Sequence, residues 1–329
     1  MQPNNLPTAE LAAQITRKAS KQTYTTIRSL VPIERQDDAF RAYAYFRWLD
    51  DLLDGDALDP RGRLALITSQ QELLHRCLTI QQPRDLSAEE WMLADLLQGP
   101  LGNEPGLRTY LNDMMAVMEF DMHRRGRRIT RQELDGYSRR LATAVTEAVY
   151  TFVGDDCGAP LTKERYLAAD AAHIVHMLRD LRDDLEAGYI NIPVEVIAGD
   201  VLEPGVLESG SMRTWVRERI ETARTYFSAG ADYLAMIENP RCRLAGAWYA
   251  ARFEGVMEAI EREGYLLRKD YRDCKGARMI LRMAWQSAAA VLTPAALART
   301  NLAHPLPGHA NAWTSVRSRA NLIKDGVQE

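Results

Sequence analysis

The chain has 329 residues, of which 46% are hydrophobic and 26% are charged, proportions close to those of ordinary globular proteins. This composition excludes a disordered or collagen-like chain, because both classes depart strongly from that average. The formal net charge of −4 gives no sign of the basic surface that a nucleic-acid-binding protein needs, so no nucleic-acid partner is expected.

Cysteine spacing and hydropathy indicate the cellular compartment in which the protein is expected. No CxxC pair occurs among the cysteines, which argues against a disulfide framework and against a structural zinc site (Cys77, Cys157, Cys242 and Cys274). The N-terminal residues lack the apolar core of a signal peptide, and the longest uncharged stretch, 283–298, is too short and too polar to span a bilayer. We expect a cytoplasmic protein whose membrane contacts are at most peripheral.

Prolines divide the chain into segments that favour helices. Proline is excluded from helix interiors because it lacks an N–H donor and its ring clashes with the preceding turn. The proline-free segments are 33–59, 61–82, 106–159, 161–192, 205–239 and 241–293. No segment alternates apolar and polar residues in the manner of a strand, so no sheet is predicted.

Start and stop signals support the same division. Ser87 with Glu90 and Thr130 with Glu133 have the spacing of capping boxes, and Asp59 precedes a proline suited to the first helical position. Glycines follow four periodic stretches, as they do at helix C-termini (Gly55, Gly99, Gly154 and Gly188). We predict one all-α domain over residues 1–329, with eight to twelve helices and an irregular segment at 294–329.

An acidic cluster lies near the end of the first long predicted helix. The helical period places Asp50 and Asp54 about 40° apart on one side, which Tyr43 and Arg47 share. With Asp51, these carboxylates repel one another and lie at the negative end of the helix dipole. The cluster fits either a solvated surface or a site that binds cations.

A second cluster lies on the predicted helix that ends before Gly188. His173, His176, Asp180 and Asp184 fall within a wedge of about 80° on one helix face. Asp180 and Asp184 are four residues apart, a spacing at which two carboxylates can share a cation. Such oxygen ligands suit Mg²⁺ that is held together with the phosphates of a substrate. Two clusters of this kind in one all-α chain favour a cation site over surface acidity.

Together the clusters resemble the motifs of the squalene/phytoene synthase family, the head-to-head type of trans-isoprenyl diphosphate synthase. The motif Tyr-x-x-x-Arg-x-x-Asp-Asp-x-x-Asp is matched at Tyr43, Arg47, Asp50, Asp51 and Asp54. The motif Arg-Asp-x-x-x-Asp, followed by Gly and a nearby Pro, is matched at Arg179, Asp180, Asp184, Gly188 and Pro193. Weaker similarities extend the resemblance over residues 20–280, among them Tyr24, Asp121 and Tyr137.

The resemblance implies an isoprenoid-synthase-like helical bundle around a central cavity, with an isoprenyl diphosphate as substrate and Mg²⁺, or alternatively Mn²⁺, as cofactor. The implied catalytic carboxylates and metal ligands are Asp50, Asp54, Asp180 and Asp184, with Asp51 as a further metal ligand. The implied substrate-binding residues are Tyr24, Tyr43, Arg47, His173, His176 and Arg179. The metal would polarise the diphosphate leaving group as a Lewis acid, and an apolar cavity would protect the carbocation from water.

Three departures from the family pattern keep other functions open. His173 and His176 stand where the family usually has Gln and Asn, and Tyr189 stands where an Arg usually follows the glycine. Thr143 and Thr146 replace small glycines. The family members that these motifs resemble condense two C15 or C20 units head to head. The loss of the arginine at Tyr189 and the larger side chains of Thr143 and Thr146 suit an alternative, a class I terpene cyclase or lyase that ionises a single diphosphate. A non-catalytic family member is the second alternative.

The histidine pair and a basic run each have two interpretations. A zinc site would need more ligands than His173 and His176, so we expect hydrogen bonding near the substrate or a satisfied core position. The basic run His123–Arg128 precedes the predicted cap at Thr130 and is interpreted as a solvated loop. A peripheral contact with anionic lipid is the alternative for this run.

Overall fold

The computed structural model describes residues 7–55, 57–79, 84–154, 159–197 and 205–275, which contain ten α-helices. The helices are α1 (Thr8–Ala19), α2 (Lys21–Leu30), α3 (Ile33–Asp54), α4 (Pro60–Leu78), α5 (Ala88–Gln98), α6 (Pro105–Arg124), α7 (Arg131–Val153), α8 (Leu167–Glu186), α9 (Gly210–Met236) and α10 (Pro240–Arg262). Short 3₁₀ turns occupy Lys163–Tyr166, Val206–Glu208 and Arg272–Lys275. In the described ranges, β pairing is limited to an isolated bridge between Arg128 and Ile190. The all-α prediction is confirmed.

The predicted start signals lie where helices begin. The Ser87 hydroxyl accepts a hydrogen bond from the Glu90 N–H at 3.1 Å, and the Glu90 carboxylate accepts one from the Ser87 N–H at 2.9 Å. The corresponding pair at the start of α7 forms the same reciprocal bonds. At the start of α4, the Asp59 carboxylate accepts a bond of 2.7 Å from the Gly62 N–H. These bonds satisfy N–H groups that have no partner within the helix, and so they fix the first turn.

Two clusters of buried apolar side chains organise the helices. One is centred on α3, α5 and α6 and includes the fully buried Tyr45 and Leu49. The other is centred on α8, α9 and α10 and includes Val175 and Ile220. Helix α7 packs against both α6 and α8. The predicted aspartate clusters at the ends of α3 and α8 therefore come from different halves of the core.

The connection after α6 pairs with the segment after α8. The Gly126 N–H donates to the Gly188 carbonyl at 2.8 Å, and the Val194 N–H donates to the Ile129 carbonyl at 2.9 Å. These backbone bonds hold the chain that follows the second aspartate cluster beside the C-terminal end of α6.

Helix α8 ends in a turn that requires glycine. Gly188 has φ +88°, a left-handed conformation that costs a residue with a Cβ roughly 1–2 kcal/mol. The turn lets the Tyr189 N–H donate to the Asp184 carbonyl at 2.7 Å and the Gly188 N–H donate to the Leu185 carbonyl at 3.1 Å. The predicted stop is confirmed, and the turn reverses the chain so that Tyr189 comes back toward the aspartates.

Parts of the sequence-based prediction fall on residues that the structure does not describe. Cys157 and the segment 294–329, predicted to be irregular, lie outside the described ranges. Within those ranges, no helix combines the length and the apolar character needed to cross a bilayer.

Candidate active site

The first aspartate cluster occupies the last turns of α3. Arg47 lies one turn before it, with Nη1 at 3.3 Å from Asp50 Oδ2 and Nη2 donating to Asp51 Oδ1. Asp51 and Asp54 are exposed, whereas Asp50 and Arg47 are partly buried. The structure therefore places Arg47 among the aspartates that the motif joins to it.

Crowding of carboxylates perturbs both clusters. Burial, together with the nearby carboxylate of Asp54, raises the pKa of Asp50 to about 6. Burial and the neighbouring Asp180 raise the pKa of Asp184 to about 6 as well. These surroundings disfavour the charged carboxylate more than water does, because burial removes its hydration and too little positive charge is nearby. A bound cation would reverse both shifts.

Asp180 differs from its neighbours because side-chain N–H groups of Arg179 and His176 already contact it. Arg179 donates two hydrogen bonds of 2.6 Å to its carboxylate, and His176 Nε2 lies 2.9 Å from Asp180 Oδ2. Burial alone would raise the pKa of Asp180, but the bonds from Arg179 and His176 hold it well below the usual range. This carboxylate is ionised at any pH near neutrality.

Tyr189 links the two clusters directly. Its hydroxyl donates a hydrogen bond of 2.6 Å to Asp54 Oδ1. The Arg124 guanidinium lies 4.9 Å and the Arg125 guanidinium 5.8 Å from the centre of the Tyr189 ring. Arg125 Nη1 also donates to the Asp54 backbone carbonyl at 3.4 Å. The segment after α8 thus touches the C-terminal end of α3.

A chain of hydrogen bonds connects the C-terminal end of α6 to the second cluster. Arg124 donates to Asp121 Oδ1 at 2.5 Å and also to the Asn191 side-chain oxygen. Asn191 Nδ2 in turn donates to Asp184 Oδ2 at 2.7 Å, and the Tyr137 hydroxyl donates to Asp121 Oδ2 at 3.2 Å. Asp121 thus adds a carboxylate between the predicted clusters, with a buried guanidinium beside it. The sequence contained one local signal for this pair, opposite charges at the i, i+3 spacing.

The interpretation of the basic run as a solvated loop is wrong for Arg124. Its side chain is buried because α6 extends to Arg124 and its last turn packs against the segment after α8. Two of its neighbours are also engaged within the protein. Arg127 forms an ion pair of 2.9 Å with Glu133, and Arg128 donates to the Ile197 carbonyl at 2.6 Å.

The two histidines occupy different surroundings. His176 joins Asp180, and its ring centre lies 5.4 Å from that of Phe253 on α10. His173 is buried between α8 and α10, with Nε2 at 3.4 Å from the Tyr249 hydroxyl. Burial lowers the pKa of His173 to about 3, so its imidazole is neutral at physiological pH. His173 is therefore a satisfied core histidine at this contact, and its role toward substrate stays a prediction.

Of the two predicted tyrosines, only Tyr43 lies beside the aspartate cluster. Tyr43 is partly buried one turn before Arg47, and burial raises its pKa while the nearby guanidinium opposes that shift. Tyr24 instead stacks on Phe40, with ring centres 5.3 Å apart. Phe40 precedes Asp50 by ten residues, which is about 15 Å along a helix. The structure therefore does not bring Tyr24 to the aspartates.

The donor set at this site fits a hard divalent cation. The predicted ligands are all carboxylates, and burial together with a neighbouring carboxylate raises the pKa of two of them, Asp50 and Asp184. Within the described ranges, no three His, Cys, Asp or Glu side chains are grouped closely enough to hold an ion by themselves. An ion here would complete its coordination with water or with phosphate oxygens, as Mg²⁺ usually does.

Comparison with solved structures defines the fold. Squalene synthase HpnC from Alicyclobacillus acidocaldarius superposes with a TM-score of 0.64 and 21% identity, covering 79% of this chain and 95% of that one. A dehydrosqualene synthase in complex with ligand superposes with a TM-score of 0.62 and 17% identity, covering 86% and 95%. The fold is that of the all-α isoprenoid synthases.

Sequence comparison then gives the family. The profile of squalene/phytoene synthases matches residues 16–279. The 15-cis-phytoene synthase of Synechocystis sp. is 26% identical over 300 residues, covering 84% of each chain. The protein belongs to the squalene/phytoene synthase family and is a prenyltransferase, as the motifs predicted.

Proposed function

We propose that the protein ionises an allylic isoprenyl diphosphate of 15 or 20 carbons between α3 and α8 and joins two such units head to head. The observation that carries this proposal is the Tyr189–Asp54 bond, which joins the segment after α8 to the first aspartate cluster. The Arg124–Asn191–Asp184 chain holds the second cluster beside the end of α6. The similarity to a 15-cis-phytoene synthase supports this class of condensation.

The carboxylates would hold the metal. Asp50, Asp54, Asp180 and Asp184, with Asp51 beside them, would bind Mg²⁺ or Mn²⁺ together with the diphosphate. The bound metal supplies Lewis-acid stabilisation of the leaving group. Two carboxylates about 4 Å apart repel by roughly 4 kcal/mol at an effective dielectric constant of 20, so the clusters favour cations.

Two arginines would orient the diphosphate. Arg47 and Arg179 each bind a carboxylate of the cluster on their own helix. A guanidinium placed there can share its N–H donors between a carboxylate and a phosphate oxygen. The arginines would thereby align the leaving group with the aspartates.

The contact between α8 and α10 offers aromatic surface to a carbocation. Ring centres lie 6.1 Å apart for His173 and Tyr249, 5.7 Å for Tyr249 and Phe253, and 5.4 Å for Phe253 and His176. Aromatic faces attract cations, and the neutral imidazole of His173 adds no repelling charge. We assign the His173–Tyr249 end of this row to the hydrocarbon side of the site, and the Phe253–His176 end, next to Arg179 and Asp180, to the diphosphate side.

Ionisation of a single diphosphate is the second candidate function. Tyr189 stands where a family member usually has an arginine, and its hydroxyl is bonded to Asp54. Thr146 is buried in α7, and the Thr143 hydroxyl is bonded to the Arg139 carbonyl at 2.9 Å. A chain with one guanidinium fewer and more bulk on α7 suits a terpene cyclase or lyase.

Product mass distinguishes these functions. The protein is incubated with farnesyl or geranylgeranyl diphosphate and Mg²⁺, and the organic extract is analysed by mass spectrometry. A hydrocarbon or alkyl diphosphate of doubled carbon number supports condensation, and a product of unchanged carbon number supports the second candidate. Absence of diphosphate release from either substrate would support a non-catalytic role.

We also propose that the chain works as one catalytic domain in the cytoplasm. Contact with a membrane would be peripheral and would suit apolar products. The basic run 123–128 contributes little free charge to such a contact, because Arg124, Arg127 and Arg128 are engaged within the protein.

A further inference from the structure

Arg252 on α10 lies beside the second aspartate cluster without a carboxylate partner of its own. Its guanidinium carbon is 5.6 Å from the centre of the Phe253 ring, and that of Arg179 is 5.7 Å from the same ring. Arg179 binds Asp180, whereas within the described ranges Arg252 forms no ion pair or hydrogen bond through its side chain. The side chain is nevertheless partly buried.

Arg252 lies near a second guanidinium, that of Arg179, and its neighbours belong to both helices that carry the aspartates. Burial lowers the pKa of Arg252, and repulsion from Arg179 on α8 adds to that shift, while Tyr249 and Tyr43 of α3 oppose it. The His176 ring also contacts Phe253, with ring centres 5.4 Å apart. Asp180 is the carboxylate of this group, and Arg179 and His176 already bind it. A partly buried guanidinium in such a place is stabilised by an anionic ligand.

We infer that Arg252, together with Arg179, forms an anion-binding position that takes phosphate oxygens of the substrate from the side of α10. This inference rests on the proposed function, because the anion it assigns is the diphosphate of an isoprenyl substrate. A guanidinium presents a fork of N–H donors that matches two phosphate oxygens. Within the described ranges the Arg252 guanidinium has no carboxylate partner, whereas Arg179 divides its donors between Asp180 and the phosphate. Arg252 also supplies, from α10, a cation that the sequence lacks at Tyr189.

Pyrophosphate binding to the metal-free protein tests this position. In the presence of a chelator the aspartates repel the anion, so affinity measured by titration calorimetry reports the arginines. We expect Arg252→Gln to weaken pyrophosphate binding about tenfold or more, and Arg252→Lys to weaken it less, because lysine keeps the charge but loses the fork. The matched control is Arg262→Gln, an exposed arginine in the last turn of the same helix, which should bind within about twofold of the unchanged protein.

The melting temperature of the ligand-free protein distinguishes anion binding from a structural role, because loss of a structural residue would lower it. Arg252→Gln should melt at the same or a higher temperature than the unchanged protein, because a repelling charge next to Arg179 is removed. The decisive measurement is the affinity of the metal-free protein for pyrophosphate. An unchanged dissociation constant for Arg252→Gln overturns it, and so does the absence of millimolar pyrophosphate binding by the metal-free wild-type protein.

The two proposals fail in different ways. Loss of pyrophosphate affinity in Arg252→Gln, combined with no turnover of farnesyl or geranylgeranyl diphosphate by the wild-type protein, supports the anion position and contradicts the proposed function. Turnover by the wild-type protein, combined with unchanged affinity in Arg252→Gln, contradicts the anion position and leaves the proposed function supported.

Discussion

The hydroxyl of Tyr189 donates a 2.6 Å hydrogen bond to Asp54, although the two residues are 135 positions apart in the chain. The bond forms because Gly188 reverses the chain at the end of α8 and the backbone pairing with the α6–α7 connection holds it there. It gives Asp54 a donor in the absence of metal. In the proposed function, this carboxylate of Asp54 binds a divalent cation.

Tyr189→Phe tests this competition. Loss of one hydrogen bond costs about 1 kcal/mol, so the metal-free variant should melt about 1–2 °C below the wild-type protein. Its affinity for Mg²⁺ together with pyrophosphate should rise, since the carboxylate no longer has to leave a donor. Both are measured by thermal unfolding and calorimetry. Tyr226→Phe is the control, because that hydroxyl forms no hydrogen bond within the described ranges. Weaker metal binding in Tyr189→Phe would contradict the competition.

Asp50→Asn should make the stability of the metal-free protein less dependent on pH. The folded-state pKa of Asp50 is raised from 3.8 to about 6, so the folded state binds this proton more tightly than the unfolded state does. Stability from this group is therefore present below pH 4 and is lost as the pH rises from about 4 to 6.

Melting temperatures at pH 4, 5, 6 and 7 check the sign of this effect. At pH 7 the variant should be the more stable protein, and its advantage should shrink toward pH 4. Asp183→Asn, at an exposed position of α8, is the matched control. A pH-independent difference for Asp50→Asn would show that Asp50 is not destabilised by its neighbours.

Mg²⁺ and a diphosphate should stabilise the protein together much more than either does alone. The carboxylates need the cation, and the cation completes its coordination with phosphate oxygens. A ligand at 100 times its dissociation constant adds about 2.7 kcal/mol, which corresponds to a rise of roughly 4 °C in the melting temperature. An unreactive thiodiphosphate analogue of farnesyl diphosphate provides the measurement. Equal shifts with and without Mg²⁺ would count against metal binding by the aspartates.

Substitution of the two histidines should have separable effects. His176→Asn removes a partner of Asp180 and should lower the rate and change the Mg²⁺ dependence. His173 lies in the row of rings between α8 and α10. His173→Gln should therefore change the product distribution while the Mg²⁺ dependence stays constant. Tyr249→Phe, which removes the hydroxyl partner of His173, should resemble His173→Gln. Unchanged products in His173→Gln would assign that histidine to packing alone.

The local part of the fold was predictable because helix ends depend on nearby residues. Capping boxes, Asp59 and the glycines gave correct starts and ends. The prolines alone do not divide the segment 106–159, which contains both α6 and α7. The capping box at Thr130 marks the start of α7 correctly, whereas no proline marks the turn at Gly126, where φ is +72°.

The geometry of the candidate site was predictable where its residues share a helix and was not where they come from distant elements. The spacing of Asp50 and Asp54 defines their common face whatever surrounds the helix. The contacts of Arg124 with Asn191 and of Tyr189 with Asp54 join residues 67 and 135 positions apart, so they depend on tertiary packing. The solvated interpretation of Arg124 failed for the same reason.

The central claim is that the aspartates of α3 and α8 act together on one diphosphate. Its most direct test is the rate of pyrophosphate release from farnesyl and geranylgeranyl diphosphate with Mg²⁺, for the wild-type protein and for Asp54→Asn, Asp180→Asn and the control Asp183→Asn. We expect release by the wild-type protein and by Asp183→Asn, and rates lower by at least a hundredfold for the other two variants while both stay folded. Wild-type rates of release in Asp54→Asn or Asp180→Asn would contradict the account.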